Sequence, residues 1–198
     1  MGKILGIIGG GQLGMMLTEA AKNMPLDISK VIVLDPTKNC PAAKVGAEQI
    51  IADFKDESSI RELAERSDII TYEIESGNST VLKKLESTCE INPSPETLSI
   101  IQDKLTQKKF LNENNIPVAK FTEISSSDEL QAKIDEFGFP VLLKTRKDAY
   151  DGRGNFKINS KEQISIALKA FEGKSLMVEE FIDFKMEVSV IAVSYTHL

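Results

Sequence analysis

Lys3-Ile4-Leu5-Gly6-Ile7-Ile8-Gly9-Gly10-Gly11-Gln12-Leu13-Gly14 reads as a buried strand, a glycine turn and the opening of an apolar helix, Gln12–Lys22. Further strands are expected at Val31–Leu34, Glu48–Ile51 and Asp68–Tyr72. Helices are expected at Asp56–Arg66, where Ile60 and Leu63 share a face, and at Thr80–Leu85. Strands alternating with helices imply right-handed crossovers and a mainly parallel sheet. The turn matches Gly-x-Gly-x-x-Gly, and Asp35 ends the second strand 21 residues beyond Gly14, which is the dinucleotide fingerprint with its ribose-binding acid. Two other readings fit the same residues: glycines that merely permit a tight turn and close packing, and a site for a mononucleotide at the helix N-terminus.

From Val118 the pattern changes. Phe121-Thr122 is extended, Ser126 and Glu129 form a capping box for a helix over Asp128–Phe137, and Ser160 to Gln163 cap a second helix ending near Gly173. Phe139–Leu143 and Phe156–Ile158 are strands, with Leu176–Phe181 and Glu187–Val193 as further ones. A helical stretch, Thr97–Asn112, joins the halves. The expected architecture is a Rossmann-like domain over 1–100 and an α+β unit over 101–193, in which two helices back a small antiparallel sheet.

Composition narrows the function. The 198 residues suffice for one large domain or two small ones, and 41% hydrophobic with 27% charged residues is ordinary for a globular protein. A net charge of −6 argues against a nucleic-acid binder that works through a basic face. The charge is uneven: residues 46–100 carry 12 Asp/Glu against 5 Lys/Arg, and residues 101–158 carry 9 against 10, so a phosphate site is expected in the second half. Two cysteines without a C-x-x-C pair fit a reducing compartment and offer no zinc site, and a single histidine, His197, leaves His-based catalysis without support. No stretch approaches the roughly 20 apolar residues of a membrane span. A cytoplasmic location is therefore expected.

Two more constellations carry chemistry. Thr71-Tyr72-Glu73-Ile74-Glu75 ends the fourth strand, where Glu73 and Glu75, at alternate positions, could both face the Gly10–Leu13 loop and reach ligand hydroxyls. A polar strand end leading into Ser76-Gly77-Asn78 is the plainer reading. The other constellation joins Lys104, Lys144, the loop Tyr150-Asp151-Gly152-Arg153-Gly154-Asn155, Glu179-Glu180-Phe181-Ile182 and Glu187. Glycines let a loop backbone approach a polyphosphate, and two lysines from different elements can neutralise it. Backbone groups just after Glu179 suit an adenine, and the Glu187 carboxylate suits a ribose. Against this stands a charged β-hairpin with a set of surface ion pairs.

Taken together, these residues resemble the ATP-grasp superfamily, and within it the 5-(carboxyamino)imidazole ribonucleotide synthases of purine biosynthesis. The likeness runs through Gly9–Gly14, Leu34-Asp35-Pro36 with Pro41-Ala42, Thr71–Glu75, Pro93-Ser94-Pro95, Gln102–Lys108, Phe139–Lys144, Tyr150–Gly154, and Glu179-Glu180-Phe181 with Glu187–Val190, spanning residues 1 to about 193. It implies a pre-ATP-grasp domain, the small ATP-grasp subdomain and the start of the large one. It also implies ligase activity, in which ATP and bicarbonate give carboxyphosphate and its carboxyl group passes to 5-aminoimidazole ribonucleotide.

By the same resemblance, Lys104 and Lys144 hold ATP phosphates, Glu187 the ribose, and Glu179, Glu180, Phe181 and Ile182 the adenine. Ala149 to Asn155 form the closing loop. Tyr150, Asp151 and Arg153 reach the acceptor and the carboxyl intermediate, with Asp151 taking the amine proton. Gln12, Leu13 and Glu73 contact the acceptor, so the glycine turn faces the acceptor and not NAD. Magnesium is implied, with ligands beyond this chain, as are a homodimer at full length and no nucleic-acid or membrane partner.

Ala149 stands where a glycine is usual, and Asn155 where a glutamine is. Ser194-Tyr195-Thr196-His197-Leu198 departs from the pattern and reads as a foreign tail on a truncated frame, so the chain alone is expected not to turn over. The alternatives are another ATP-grasp ligase or carboxylase, such as the formate-dependent glycinamide ribonucleotide transformylase, and an NAD(P)-dependent dehydrogenase.

Overall fold

Each central strand of the N-terminal half is apolar along most of its length, and the computed structural model of the chain accounts for this. It describes residues 2–24, 27–147 and 154–190, which fall into two compact units, Met1–Ile116 and Pro117–Leu198. In the first unit, β1 (Lys3–Ile8), β2 (Ile28–Leu34), β3 (Glu48–Ile50), β4 (Ile69–Tyr72) and β5 (Glu90–Ile91) form a parallel sheet in the order β3-β2-β1-β4-β5. Helices cover both faces, so successive residues are buried on alternate sides. Ile7, Val31 and Val33 pack with Ala21 of α1 (Gln12–Lys22) and Ala42 of α2 (Pro41–Lys44). Ile8, Ile32, Leu34 and Ile70 pack on the other face with Ile60 and Leu63 of α3 (Glu57–Glu65), Val81 and Leu82 of α4 (Ser79–Leu85) and Leu98 of α5 (Pro95–Ile101).

The helix starts follow local chemistry. Asp56 caps α3 by accepting the Ser59 N–H at 2.8 Å, and Asn78 caps α4 by accepting the Val81 N–H at 3.1 Å. The expected helical stretch over Thr97–Asn112 consists of two helices, α5 and α6 (Lys104–Glu113). Asp103 breaks it by turning its carboxylate onto the Leu105 N–H at 3.0 Å, which starts a new helix. Gln102, just before, is drawn away to the carbonyls of Glu75 and Gly77 at 2.7 and 2.6 Å. The short α2 and β5 were not expected; each is too brief to carry a hydrophobic period.

The second unit holds an antiparallel sheet in the order β6-β9-β7-β8, from β6 (Phe121–Ile124), β7 (Val141–Thr145), β8 (Asn155–Ile158) and β9 (Leu176–Glu180). Leu130 and Ile134 of α7 (Ser127–Phe137), with Ile164 and Ala167 of α8 (Ile164–Ala170), close its core over Val141, Leu143, Ile158 and Val178. Ser126 accepts the Glu129 N–H at 3.1 Å, and Glu129 accepts the Ser125 N–H at 2.8 Å, so the capping box forms with its return bond one residue early. A 3₁₀ turn, Lys161–Gln163, precedes α8.

The expected strand at Glu187–Val193 is not formed over its described part. Residues 187–190 have no regular structure and pair with no strand among the described residues. Val188 and Val190 are 77% and 87% exposed, so the apolar alternation that suggested a strand meets no surface to bury it. Residues 191–198, including the supposed tail, lie outside the described residues.

Candidate functional site

The chain runs outward from β1 to β2 and β3, then returns to place β4 on the other side of β1, so the sheet's switch point lies between β1 and β4. Parallel sheets bind ligands at the carboxyl ends of such a pair. Here the Gly9–Gly14 turn follows β1, and Glu73 follows β4. Gly9 has φ +103°, and a Cβ built on it would lie 2.5 Å from Glu73 Oε1 and 2.7 Å from its Cγ. Only glycine leaves room for that carboxylate. The Glu73 N–H donates to the Ile8 carbonyl at 3.0 Å, which fixes the residue beside β1. Burial pushes the Glu73 carboxyl above its ordinary value. A hydrogen bond from the Gly11 N–H opposes this, while the negative charges of Asp35 and Glu75 add to it.

Asp35 is buried on the other side of the turn. Its Oδ2 accepts the Gly10 N–H at 2.8 Å and its Oδ1 accepts the Thr37 N–H at 2.7 Å. Both oxygens therefore hold backbone, and the supposed ribose acid is a clamp on the glycine turn. Cys40 completes the seat: a Cβ on Gly10 would come within 2.4 Å of its sulfur, and the Ala42 N–H donates to the Gly10 carbonyl at 3.0 Å. Gln49 ties the same region, donating to the carbonyls of Asp35 and Thr37 and accepting the Asn39 N–H. Gln12 and Leu13 are exposed in the first turn of α1, and Glu75 is exposed with its carbonyl held by Gln102. The structure thus brings Glu73 onto the turn and leaves Glu75 off it.

In the second unit, Lys144 lies on β7 opposite Asn155 of β8, and Thr145 N–H closes the hairpin on the Gly154 carbonyl at 2.9 Å. Ala149, Tyr150, Asp151, Gly152 and Arg153 lie outside the described residues. The Lys144 ammonium stands 2.9 Å from Glu179 Oε2 of the neighbouring strand β9, with side chains 19% and 5% exposed. Such a pair is costly to desolvate and tightly specified.

Glu180, at the end of β9, accepts the Lys120 N–H at 2.8 Å, and its own N–H donates to the Lys120 carbonyl at 2.9 Å. The Lys157 ammonium sits 3.6 Å from the centre of the Phe181 ring. Ile182 is 48% exposed and Glu187 is exposed. Lys104 opens α6 and belongs to the first unit.

Cys40, Gln49 and Gln102 were not singled out as site-building residues. Each acts on a segment distant in sequence, and a single chain carries no periodic signal for such contacts.

A parallel α/β unit with a glycine turn at its β1–β4 switch point, followed by an antiparallel sheet that carries the buried Lys144–Glu179 pair, fits the ATP-grasp class. The Ribonucleotide synthetase preATP-grasp domain matches residues 1–102, and the ATP-grasp domain matches residues 109–197. The chain belongs to the ribonucleotide synthetase pre-ATP-grasp family.

It is 37% identical over 189 residues to the N5-carboxyaminoimidazole ribonucleotide synthase of Staphylococcus epidermidis, covering 96% of this chain and 50% of that protein. The Staphylococcus aureus N5-carboxyaminoimidazole synthetase complexed with ADP superposes with a TM-score of 0.87 at 34% identity, over 93% of this chain and 49% of that one. The Aspergillus clavatus synthase in complex with ADP and 5-aminoimidazole ribonucleotide gives a TM-score of 0.85 at 34% identity, over 93% and 48%. The chain spans about half the length of the curated relatives it matches.

Proposed function

We propose that the whole protein to which this chain belongs carboxylates 5-aminoimidazole ribonucleotide with ATP and bicarbonate in purine biosynthesis. The observation that carries this is the Lys144–Glu179 pair buried across β7 and β9 at the root of the glycine-bearing hairpin. The relatives complexed with ADP and with the acceptor support the same reading. Bicarbonate oxygen attacks the γ-phosphorus, and ADP leaves. The acceptor amine then attacks the carboxyl carbon of carboxyphosphate, the C–O bond to phosphate breaks, and the amine loses a proton.

In this reading Lys104 and Lys144 neutralise the ATP phosphates, and Ala149, Gly152 and Gly154, with Asn155 at the start of β8, cover them. Glu179, Glu180, Phe181 and Ile182 frame the adenine, and Glu187 holds the ribose. Tyr150, Asp151 and Arg153 act at the acceptor and the carboxyl group, with Asp151 as proton acceptor. Gln12, Leu13 and Glu73 line the acceptor side. Closure of the loop shelters carboxyphosphate from water. The functional division falls near residue 100, and the whole protein works as a cytoplasmic homodimer.

No group of three or more His, Cys, Asp or Glu able to hold a metal occurs among the described residues. No helix among the described residues is long and apolar enough to cross a membrane. The dehydrogenase reading is weakened, because Asp35 is 6% exposed and each of its oxygens already accepts a backbone N–H.

Arg153→Ala in the whole protein is the test of the loop assignment. ATP affinity is expected to stay within about twofold while carboxylation falls at least ~100-fold, as when a donor to developing negative charge is removed. Unchanged turnover would remove Arg153 from the site.

A further inference from the structure

One side chain of the first unit binds together two stretches that lie far apart in sequence. Gln102 ends α5, and its amide turns back on the segment between β4 and α4. Its Nε2 donates to the Glu75 carbonyl at 2.7 Å and to the Gly77 carbonyl at 2.6 Å, while its Oε1 accepts the Ser79 hydroxyl at 3.0 Å. Carbonyls only accept, so these partners fix which way the amide points. Gly77 is buried, and a Cβ built on it would lie 3.4 Å from Leu98 of α5. At the other end of α5, the Tyr72 hydroxyl donates to the carbonyl of Ser94, the residue that caps the helix. Both ends of α5 are therefore pinned to the stretch that runs out of β4.

The neighbours of this clamp give it a role. Glu73 stands two residues before Glu75, on the acceptor side, and Lys104 stands two residues after Gln102, on the ATP side. Asp103 between them is buried and accepts the Leu105 N–H at 3.0 Å, so the chain from Gln102 to Lys104 has little freedom. We propose that Gln102 is a positioning residue for carboxyl transfer: it holds segment 73–77 in register with Lys104, so that the acceptor amine is in place when carboxyphosphate forms. This rests on the carboxylation reading and its assignment of Glu73 and Lys104. Without the clamp, ATP and bicarbonate still react, but the amine is misplaced. Water then attacks the carboxyl carbon of carboxyphosphate, the C–O bond to phosphate breaks, and bicarbonate and phosphate are released.

The test uses the whole protein and measures ADP released, carboxylated acceptor formed and the KM for ATP. Gln102→Leu removes all three side-chain bonds. Gln102→Glu keeps the shape but sets an oxygen against the two carbonyls. In the wild type, product and ADP are expected in equal amounts. In both variants product formation is expected to fall at least ~10-fold and product per ADP at least ~2-fold, with the KM for ATP within about twofold of the wild type. The ratio of product to ADP belongs to folded molecules alone, so a loss of stability does not move it.

Gln102→Asn keeps the amide one methylene short and is expected to lower the same ratio by a smaller factor, which keeps the test open should the other two fail to fold. A ratio unchanged from the wild type in every variant that folds would overturn the proposal and reduce Gln102 to a structural tie. Failure of the carboxylation reading shows separately, as a wild type that forms no carboxylated product, and overturns the proposal with it.

Discussion

Replacing Lys144 by methionine is expected to weaken ATP binding to the whole protein by more than about tenfold, roughly 1.4 kcal/mol, and to lower folding stability by about 3 kcal/mol. The two losses have different origins. Lys144 sits on the central strand β7 with its ammonium 2.9 Å from Glu179, whose side chain is 5% exposed. Methionine keeps the stem volume but withdraws the positive charge from a carboxylate that water reaches poorly, which is the costly half of a buried pair. ATP, in turn, loses a desolvated phosphate contact.

The double variant Lys144→Met/Glu179→Gln separates these effects. Neutralising Glu179 is expected to recover most of the stability in urea unfolding, while calorimetry still finds ATP binding weak. If ATP affinity returned along with stability, Lys144 would act only through folding and would leave the proposed phosphate site.

Asp35→Ala is expected to be nearly as damaging to the first unit, at about 3 kcal/mol. The buried carboxylate accepts two backbone N–H groups, from Gly10 and Thr37, and alanine leaves both without it. For a chain of this size that loss corresponds to a fall of roughly 6–12 °C in the melting temperature. Asp35→Asn retains one acceptor oxygen and is expected to lose less. A ribose-binding acid would behave in the opposite way: its removal would spare the melting temperature and abolish NADH binding. Thermal unfolding and NADH fluorescence, measured on the same two variants, distinguish a clamp from a ligand contact.

The residue that misleads most is thus one whose position the spacing locates well. Asp35 falls where a dinucleotide-binding acid would, at the end of β2, because the βαβ geometry puts some residue there whatever the ligand. Which partner it takes depends on Thr37, Gly10 and the Cys40 packing, contacts that no spacing rule contains. The parallel sheet was legible because strands buried on both faces, such as Val31–Leu34, read as unbroken apolar runs.

The helical stretch expected over Thr97–Asn112 is divided at Asp103, whose side chain caps the second helix. Val188 and Val190 have the alternation of a strand, but the described sheet gives them no partner. In the candidate site, Glu73 was legible from its place after β4, whereas its seating against Gly9 and Gly11 required the structure. Lys144 and Glu179 were both singled out, for different ends of ATP; their mutual pairing follows from the β7–β9 register, which sequence alone does not set.

The most direct measurement is ADP release by the whole protein supplied with ATP and bicarbonate, with and without 5-aminoimidazole ribonucleotide. Release that depends on the acceptor is the expected result. Release that ignores the acceptor, or no use of ATP at all, would contradict the proposed carboxylation.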